Sequence, residues 1–179
     1  MTGRHVMLIG MMGAGKTTVG AECARRLDRV FVDTDELVEA TAGRSVSEIF
    51  ASDGEGAFRA LERVALADAC AAPLPAVIAV GGGAMSDPIN REIARAHATV
   101  VWLRADPAEL AQRVERDERD ADGGRPLLAD AEPITTLERL SILRTETYGA
   151  VADVVVETDD RTVAEVADAV LEELARCDA

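Results

Sequence analysis

Gly10-Met11-Met12-Gly13-Ala14-Gly15-Lys16-Thr17-Thr18 is the stretch on which the reading of this chain turns. Its Gly-x4-Gly-Lys-Thr spacing is that of a phosphate-binding loop. It also stands where such a loop belongs, between an apolar run at 5–10 and a helical pattern at 16–27. The glycines let the backbone turn tightly and aim its N–H groups at phosphate oxygens. The helix that follows adds partial positive charge at its N-terminus. Of the 19 Lys and Arg residues, Lys16 is the only lysine. A compact ammonium reaches the β- and γ-phosphates of a nucleotide, whereas a guanidinium is bulkier and fans its donors outward. Every other cationic position tolerates arginine; this one does not. The expected nucleotide-binding residues are Gly13, Ala14, Gly15, Lys16, Thr17 and Thr18, with the Thr17 hydroxyl offered to Mg2+.

Outward from the loop, the pattern alternates. Strands are predicted at 5–10, 30–33, 76–80, 99–105 and 152–158. Helical patterns fall between them, at 16–27, 35–42, 46–53, 56–71, 90–98, 107–117 and 134–151, with a closing amphipathic helix at 162–177. Strands alternating with helices predict a parallel sheet covered on both faces, and the continuous apolar runs are those of buried parallel strands. The segment 116–133 is charged, rich in Gly and Pro and without apolar periodicity, and is read as a long functional loop. With 179 residues and no repeat or linker, one domain over 1–179 is expected.

Composition narrows the function classes. A net charge of −14 disfavours a nucleic-acid surface, although a local arginine cluster would still accept an anionic substrate. No apolar run approaches a membrane span, and the apolar N-terminal stretch lacks a small-x-small cleavage site, so a cytoplasmic location is expected. Cys23, Cys70 and Cys177 have no metal-site spacing and are read as bystander thiols. His5 and His97, at strand edges, are read as structural or surface residues.

A phosphate loop often works with an acid at the end of a neighbouring strand that holds Mg2+. The third strand ends instead in Gly81-Gly82-Gly83, so the acid is sought in Asp33-Thr34-Asp35, after the second strand. If that strand continues, Asp33 and Asp35 point in alternate directions and do different jobs.

The ordered set GMMGAGKT (10–17), DTD (33–35), GRSVSEIF (43–50), FRALE (58–62), GGG (81–83), RPLL (125–128) and Arg144 followed by Tyr148 and Ala152 resembles the shikimate kinase family, over about residues 5 to 155. The resemblance implies a three-layer α/β fold like that of P-loop nucleoside monophosphate kinases. It implies a five-stranded parallel sheet of order 2-3-1-4-5, a substrate-binding helical region at about 34–62 and a mobile lid at about 115–130. It implies ATP and Mg2+ as cofactors and phosphorylation of the 3-hydroxyl of shikimate, a step of aromatic amino-acid biosynthesis. By that resemblance, Lys16 and Thr17 serve phosphate and metal, and Asp33 places the hydrated Mg2+. Asp35 binds the acceptor hydroxyls and acts as base. Arg59 and Arg144 grip the substrate carboxylate, Glu62 orients Arg59, and Gly81, Gly82 and Gly83 form the pocket wall. Arg125 reaches over the transferring phosphate from the lid.

Several roles make sense on the residues alone. Glu62 lies three positions after Arg59 and so shares its helix face. A small acid is gripped by bidentate arginine donors, and a polyol by a carboxylate that accepts from its hydroxyls. An adenine-stacking arginine falls near the lid, with Arg113 and Arg116 both candidates and Arg116 taken as nucleotide-binding. The usual Arg-x-Pro-Leu-Tyr of the family reads Arg144-Thr-Glu-Thr-Tyr148 here, and the acidic segment before RPLL is longer than the family's. Phe50 and Phe58 serve the core, the pocket, or both. The bland alternatives are a surface ion pair for Arg59 and Glu62, a helix cap for Asp33, a plain turn for GGG, and solvated charges for Arg125 and Arg144. A related carbohydrate kinase such as gluconate kinase, or a nucleotide-binding regulatory module, are the rival functions. A monomer is expected, with a small-molecule substrate and neither nucleic acid nor membrane as partner.

Overall fold

In the computed structural model the described residues are 3–120 and 133–177. Five parallel strands form one sheet: β1 (His5–Ile9), β2 (Val30–Asp33), β3 (Ala76–Ala79), β4 (Ala98–Arg104) and β5 (Val154–Glu157). Their spatial order is β2-β3-β1-β4-β5, as expected. β1 lies at the centre, with Met7 in register with Ile78 of β3 on one side and Val100 of β4 on the other.

Among the described residues, seven α-helices connect and follow the strands: α1 (Lys16–Leu27), α2 (Thr34–Ala42), α3 (Val46–Cys70), α4 (Pro88–His97), α5 (Pro107–Asp120), α6 (Pro133–Val151) and α7 (Val163–Cys177). α1 packs on α7 and on β1–β3, while α4 and α6 lie against β4 and α3 against α4. Helices thus cover both faces of the sheet, which parallel crossovers require. Met7, Leu8, Ile78, Val100, Val101 and Leu103 are completely buried between the layers. A second, smaller core of Val38, Ile49, Phe58 and Ala65 sits under α2 and α3.

Two sequence expectations need correction. The outer strands are not buried throughout: Val30 of β2 and Val155 of β5 are exposed, because edge strands have a neighbour on one side only. α5 also runs on to Asp120, past the end at 117 that its charged composition suggests. The predicted helices at 46–53 and 56–71 do form. They join as α3 across a kink at Gly54, whose φ of 81° and ψ of 172° are non-helical. Ser45 and Glu48 form a reciprocal capping box that starts α3. His5 is structural as expected: its Nδ1 accepts from the Ala76 N–H at 3.0 Å, and burial lowers its pKa.

Candidate active site

The C-terminal ends of β1, β2 and β3 open on one cleft of about 600 Å³, with α5 and the segment after β5 completing its wall. Strand ends of an open parallel sheet face a ligand crevice in this way. Every predicted site residue within the described set lines this cleft: Gly13, Ala14, Gly15, Lys16, Thr17, Thr18, Asp33, Asp35, Arg59, Glu62, Gly81, Gly82, Gly83, Arg116 and Arg144. Arg125 and residues 121–132, most of the predicted lid, lie outside the described residues.

At the phosphate-loop end, Gly13 (φ 79°) and Gly15 (φ 85°) adopt left-handed backbone that side chains other than glycine resist. Lys16 bridges back over the loop, its Nζ donating to the carbonyls of Gly10 at 3.0 Å and Met11 at 2.9 Å. Beside it the Thr17 hydroxyl donates to Asp33 Oδ2 at 2.9 Å. The other Asp33 oxygen accepts from the Asp35 N–H at 3.0 Å and so caps α2. Capping and metal placement are therefore compatible jobs for the two oxygens of one carboxylate. Thr17 and Asp33 present adjacent hard oxygen donors beside the phosphate loop. That set suits Mg2+, which binds through one or two protein oxygens and keeps waters and phosphates as its other ligands.

The strand predicted at 30–33 ends where expected, so the condition for Asp33 and Asp35 to alternate along one strand is not met. The strand stops at Asp33 and α2 starts at Thr34, so the first turn of a helix aims Asp35 into the cleft. Burial, and next the Asp33 carboxylate, push the Asp35 pKa up to about 6. Its Oδ1 is buried without a hydrogen-bond partner among the described residues, as is Oε1 of Glu62.

Glu62 is 1% exposed, and its Oε2 accepts from Arg59 Nη1 at 2.8 Å. Burial raises its pKa, against the pull of the Arg59 charge. Glu55 takes the other edge of Arg59, accepting from Nη2 at 2.9 Å and Nε at 3.2 Å. Sequence reasoning passed over Glu55, although its i,i+4 spacing to Arg59 was available. Arg144 is 8% exposed and its Nη1 lies 3.7 Å from the Met11 sulfur.

The glycine triplet acquires a sharper explanation than a close approach by ligand. A Cβ on Gly81 would sit 2.4 Å from Glu62 Oε1 and 2.9 Å from Asp35 Oδ1. One on Gly83 would sit 2.4 Å from Arg59 Nη2, and one on Gly82 3.3 Å from Arg144 Nη1. The wall is bare because the site's own acids and arginines fill the space where its side chains would be. Thr34, fully buried, holds Gly81 in place by accepting its N–H at 3.3 Å. Nothing in the sequence marked Thr34 for this, since its partner lies 47 residues away.

Phe50 and Phe58 serve both roles left open for them. Their rings lie 4.7 Å apart over the small core and also line the cleft. At the nucleotide end Arg113 and Arg116 both reach the cleft. Arg113 is tied down, donating to Thr158 Oγ1 at 3.0 Å, to the Thr158 carbonyl at 2.8 Å and to Glu109 Oε1 at 3.0 Å. Thr158, Arg161 and Val163 also line this end, and none of the three was singled out from the sequence.

Comparison with known proteins gives the family to which this fold belongs. The family model described as Shikimate kinase matches residues 12–175. A shikimate kinase of Symbiobacterium thermophilum is 42% identical over 170 residues, covering 95% of each chain. One of Paramagnetospirillum magneticum is 46% identical over 159 residues, covering 88% of this chain and 77% of that one. Among solved structures, shikimate kinase from Acinetobacter baumannii in complex with shikimate superposes with a TM-score of 0.91 at 34% identity, over 98% of this chain and 94% of that one. A gluconokinase from Sinorhizobium meliloti reaches only 0.60 at 20% identity, over 99% of this chain and 95% of that one, a likeness of fold alone.

Proposed function

The chain belongs to the shikimate kinase family, and from this premise we propose how its cleft carries out ATP-dependent phosphorylation of the 3-hydroxyl of shikimate, yielding shikimate 3-phosphate and ADP. One observation carries the reading of the site. Two buried carboxylate oxygens, Asp35 Oδ1 and Glu62 Oε1, face Gly81 without partners among the described residues, and Arg59 and Arg144 stand at Gly83 and Gly82. Such a pocket suits a small molecule with hydroxyls on one side and a carboxylate on another. Leaving buried acceptors unpaired is costly, so a substrate lacking those hydroxyls is selected against.

In this reading Arg59 and Arg144 bind the carboxylate and Glu62 keeps Arg59 aimed. The acceptor hydroxyl donates to Asp35. A pKa of about 6 leaves Asp35 largely ionised at neutral pH, yet close enough to the working pH to take a proton. The oxygen of that hydroxyl forms a bond to the γ-phosphorus, the bond from the γ-phosphorus to the β,γ-bridging oxygen breaks, and the hydroxyl proton passes to Asp35. The loop N–H groups, Lys16 and, from the lid, Arg125 balance the charge of the phosphoryl group in transit. Thr17 and Asp33 would hold Mg2+, which supplies further neutralisation of the phosphates. Arg116, with Arg113 as the alternative, serves adenine. The whole chain is read as one domain, a cytoplasmic monomer whose substrate is a small molecule and whose partners include neither nucleic acid nor membrane. Among the described residues no helix is long and apolar enough to cross a membrane.

Coupled ADP release with Mg-ATP, compared between shikimate, gluconate and no acceptor, tests the reading. Release should depend on shikimate and fall by about a thousandfold or more in Asp35→Asn. Release with gluconate alone would keep the kinase and discard the substrate. ATP binding without acceptor-dependent release would favour the regulatory module.

A further inference from the structure

The proposed site leaves one buried group near the substrate wall without a task. Tyr148 is 3% exposed on α6, and its hydroxyl donates to the Gly82 carbonyl at 2.5 Å. The carbonyls on either side of Gly82 are satisfied locally, Gly81 by the Ala84 N–H and Gly83 by the Ser86 N–H, each at 3.0 Å. Gly82 instead draws its donor from 66 residues away. The same hydroxyl lies 4.0 Å from the sulfur of Met11, the phosphate-loop residue that also meets Arg144 Nη1 at 3.7 Å. Tyr148 and Arg144 are separated by one helical turn, so both heads leave the same face of α6 and converge on Met11.

Behind the hydroxyl, the Tyr148 ring packs against Trp102 of β4, with centroids 5.6 Å apart and planes tilted by 60°. The ring is thus held by the central sheet, and its hydroxyl ties together the glycine wall, the phosphate-loop shoulder and the helix that carries Arg144. Burial pushes the Tyr148 pKa up to about 12, so the hydroxyl stays protonated and remains a donor.

We propose that Tyr148 is a positioning residue for the acceptor site: its hydroxyl holds the Gly82 wall against Arg144, which receives the substrate carboxylate. The proposal rests on the functional reading above and goes beyond it, since it assigns Tyr148 a share of substrate affinity and none of nucleotide affinity. With Tyr148 in place, the wall is pinned at two successive residues from two different elements, Gly81 by Thr34 and Gly82 by Tyr148.

Tyr148→Phe keeps the ring against Trp102 and removes only the hydroxyl. The expected result is a KM for shikimate raised about fivefold, the loss of one well-placed hydrogen bond, with the KM for ATP unchanged. Calorimetric titration of shikimate into the variant should show the same loss. A second variant, Thr34→Val, removes the other pin and should also raise the shikimate KM while sparing that of ATP. Shikimate constants for Tyr148→Phe within error of the wild type would overturn the proposal. So would shikimate and ATP constants that rise together, the mark of a merely structural role. Wild-type protein assayed in parallel separates the two levels. ADP release that ignores shikimate in the wild type sinks the functional reading and this proposal with it. A shikimate-dependent wild type beside an unaffected Tyr148→Phe sinks only the role of Tyr148.

Discussion

Asp35 concentrates the conflict between folding and function at one residue. Its pKa stands near 6 in the folded chain, against 3.8 when unperturbed. The folded state therefore holds the proton more tightly, and stability falls as pH rises from about 4 to about 6. Above that window the ionised carboxylate opposes folding. Asp35→Asn should accordingly raise the thermal midpoint at pH 7 by a few degrees while removing turnover; an unchanged or lower midpoint would mean that the carboxylate is not strained. In the wild type, kcat/KM for shikimate should decline below a pH of about 6. The two acids beside Arg59 provide a second contrast. Glu55, 60% exposed at its side chain, forms an exposed i,i+4 pair, and Glu55→Gln should change stability by less than about 1 kcal/mol. Glu62 is buried, and Glu62→Ala leaves Arg59 without its inner partner. That variant should lose about 2–3 kcal/mol and raise the shikimate KM, as denaturant melts and steady-state kinetics would reveal. Sequence spacing supplied the Arg59–Glu62 pair; only packing separates a buried acid from its exposed neighbour.

At the scale of elements, the acceptor side is built from pieces that meet end to end. β2 stops at Asp33, α2 begins at once, and the short upstream arm of α3 packs with α2 before the kink at Gly54. That path brings Asp35, Phe50 and Arg59 to the same cleft as the end of β3. The Gly83 position is where this construction is least tolerant. A methyl there would meet Arg59 Nη2 at 2.4 Å and Nη1 at 2.6 Å, forcing the guanidinium off its place. Gly83→Ala should raise the KM for shikimate about tenfold or more and leave the KM for ATP within about twofold of the wild type, as a misplaced charged contact costs more than a neutral one. Equal effects on both substrates would point to a general disturbance of the sheet end. By contrast, nothing surrounds a methyl on Gly54. Gly54→Ala therefore costs the strain of a backbone conformation that essentially only glycine adopts, about 1–3 kcal/mol. Helix and strand periodicity foresaw every one of these elements. It placed the end of β2 correctly and misjudged the burial of the edge strands and the extent of α5.

For the whole molecule, the excess of acid is the dominant property. A net charge of −14 surrounds a cleft that must admit a polyanionic nucleotide. Raising ionic strength from about 0.01 M to about 0.15 M shortens the screening length from roughly 30 Å to roughly 8 Å. kcat/KM for ATP should rise over that range. Neutralising Asp117, Glu118, Asp120 and Asp122 to their amides should flatten the salt response; an ATP KM equal to that of the wild type at low salt would refute a part for these acids. What the sequence alone determined is the nucleotide half and the layered fold. Gly10 to Thr18 carry their function in local backbone chemistry, and alternating apolar runs report burial directly, so both are written within a few consecutive residues. The acceptor half was legible only as a set of residue types. Tertiary structure decided that Asp35 and Glu62 share the space beside Gly81, that Arg59 and Arg144 occupy the room left by Gly83 and Gly82, and that Thr34 and Tyr148 hold the wall from opposite sides. Those contacts join residues tens of positions apart, where neither periodicity nor motif spacing carries information, and only the packing of the layers brings them within hydrogen-bonding distance.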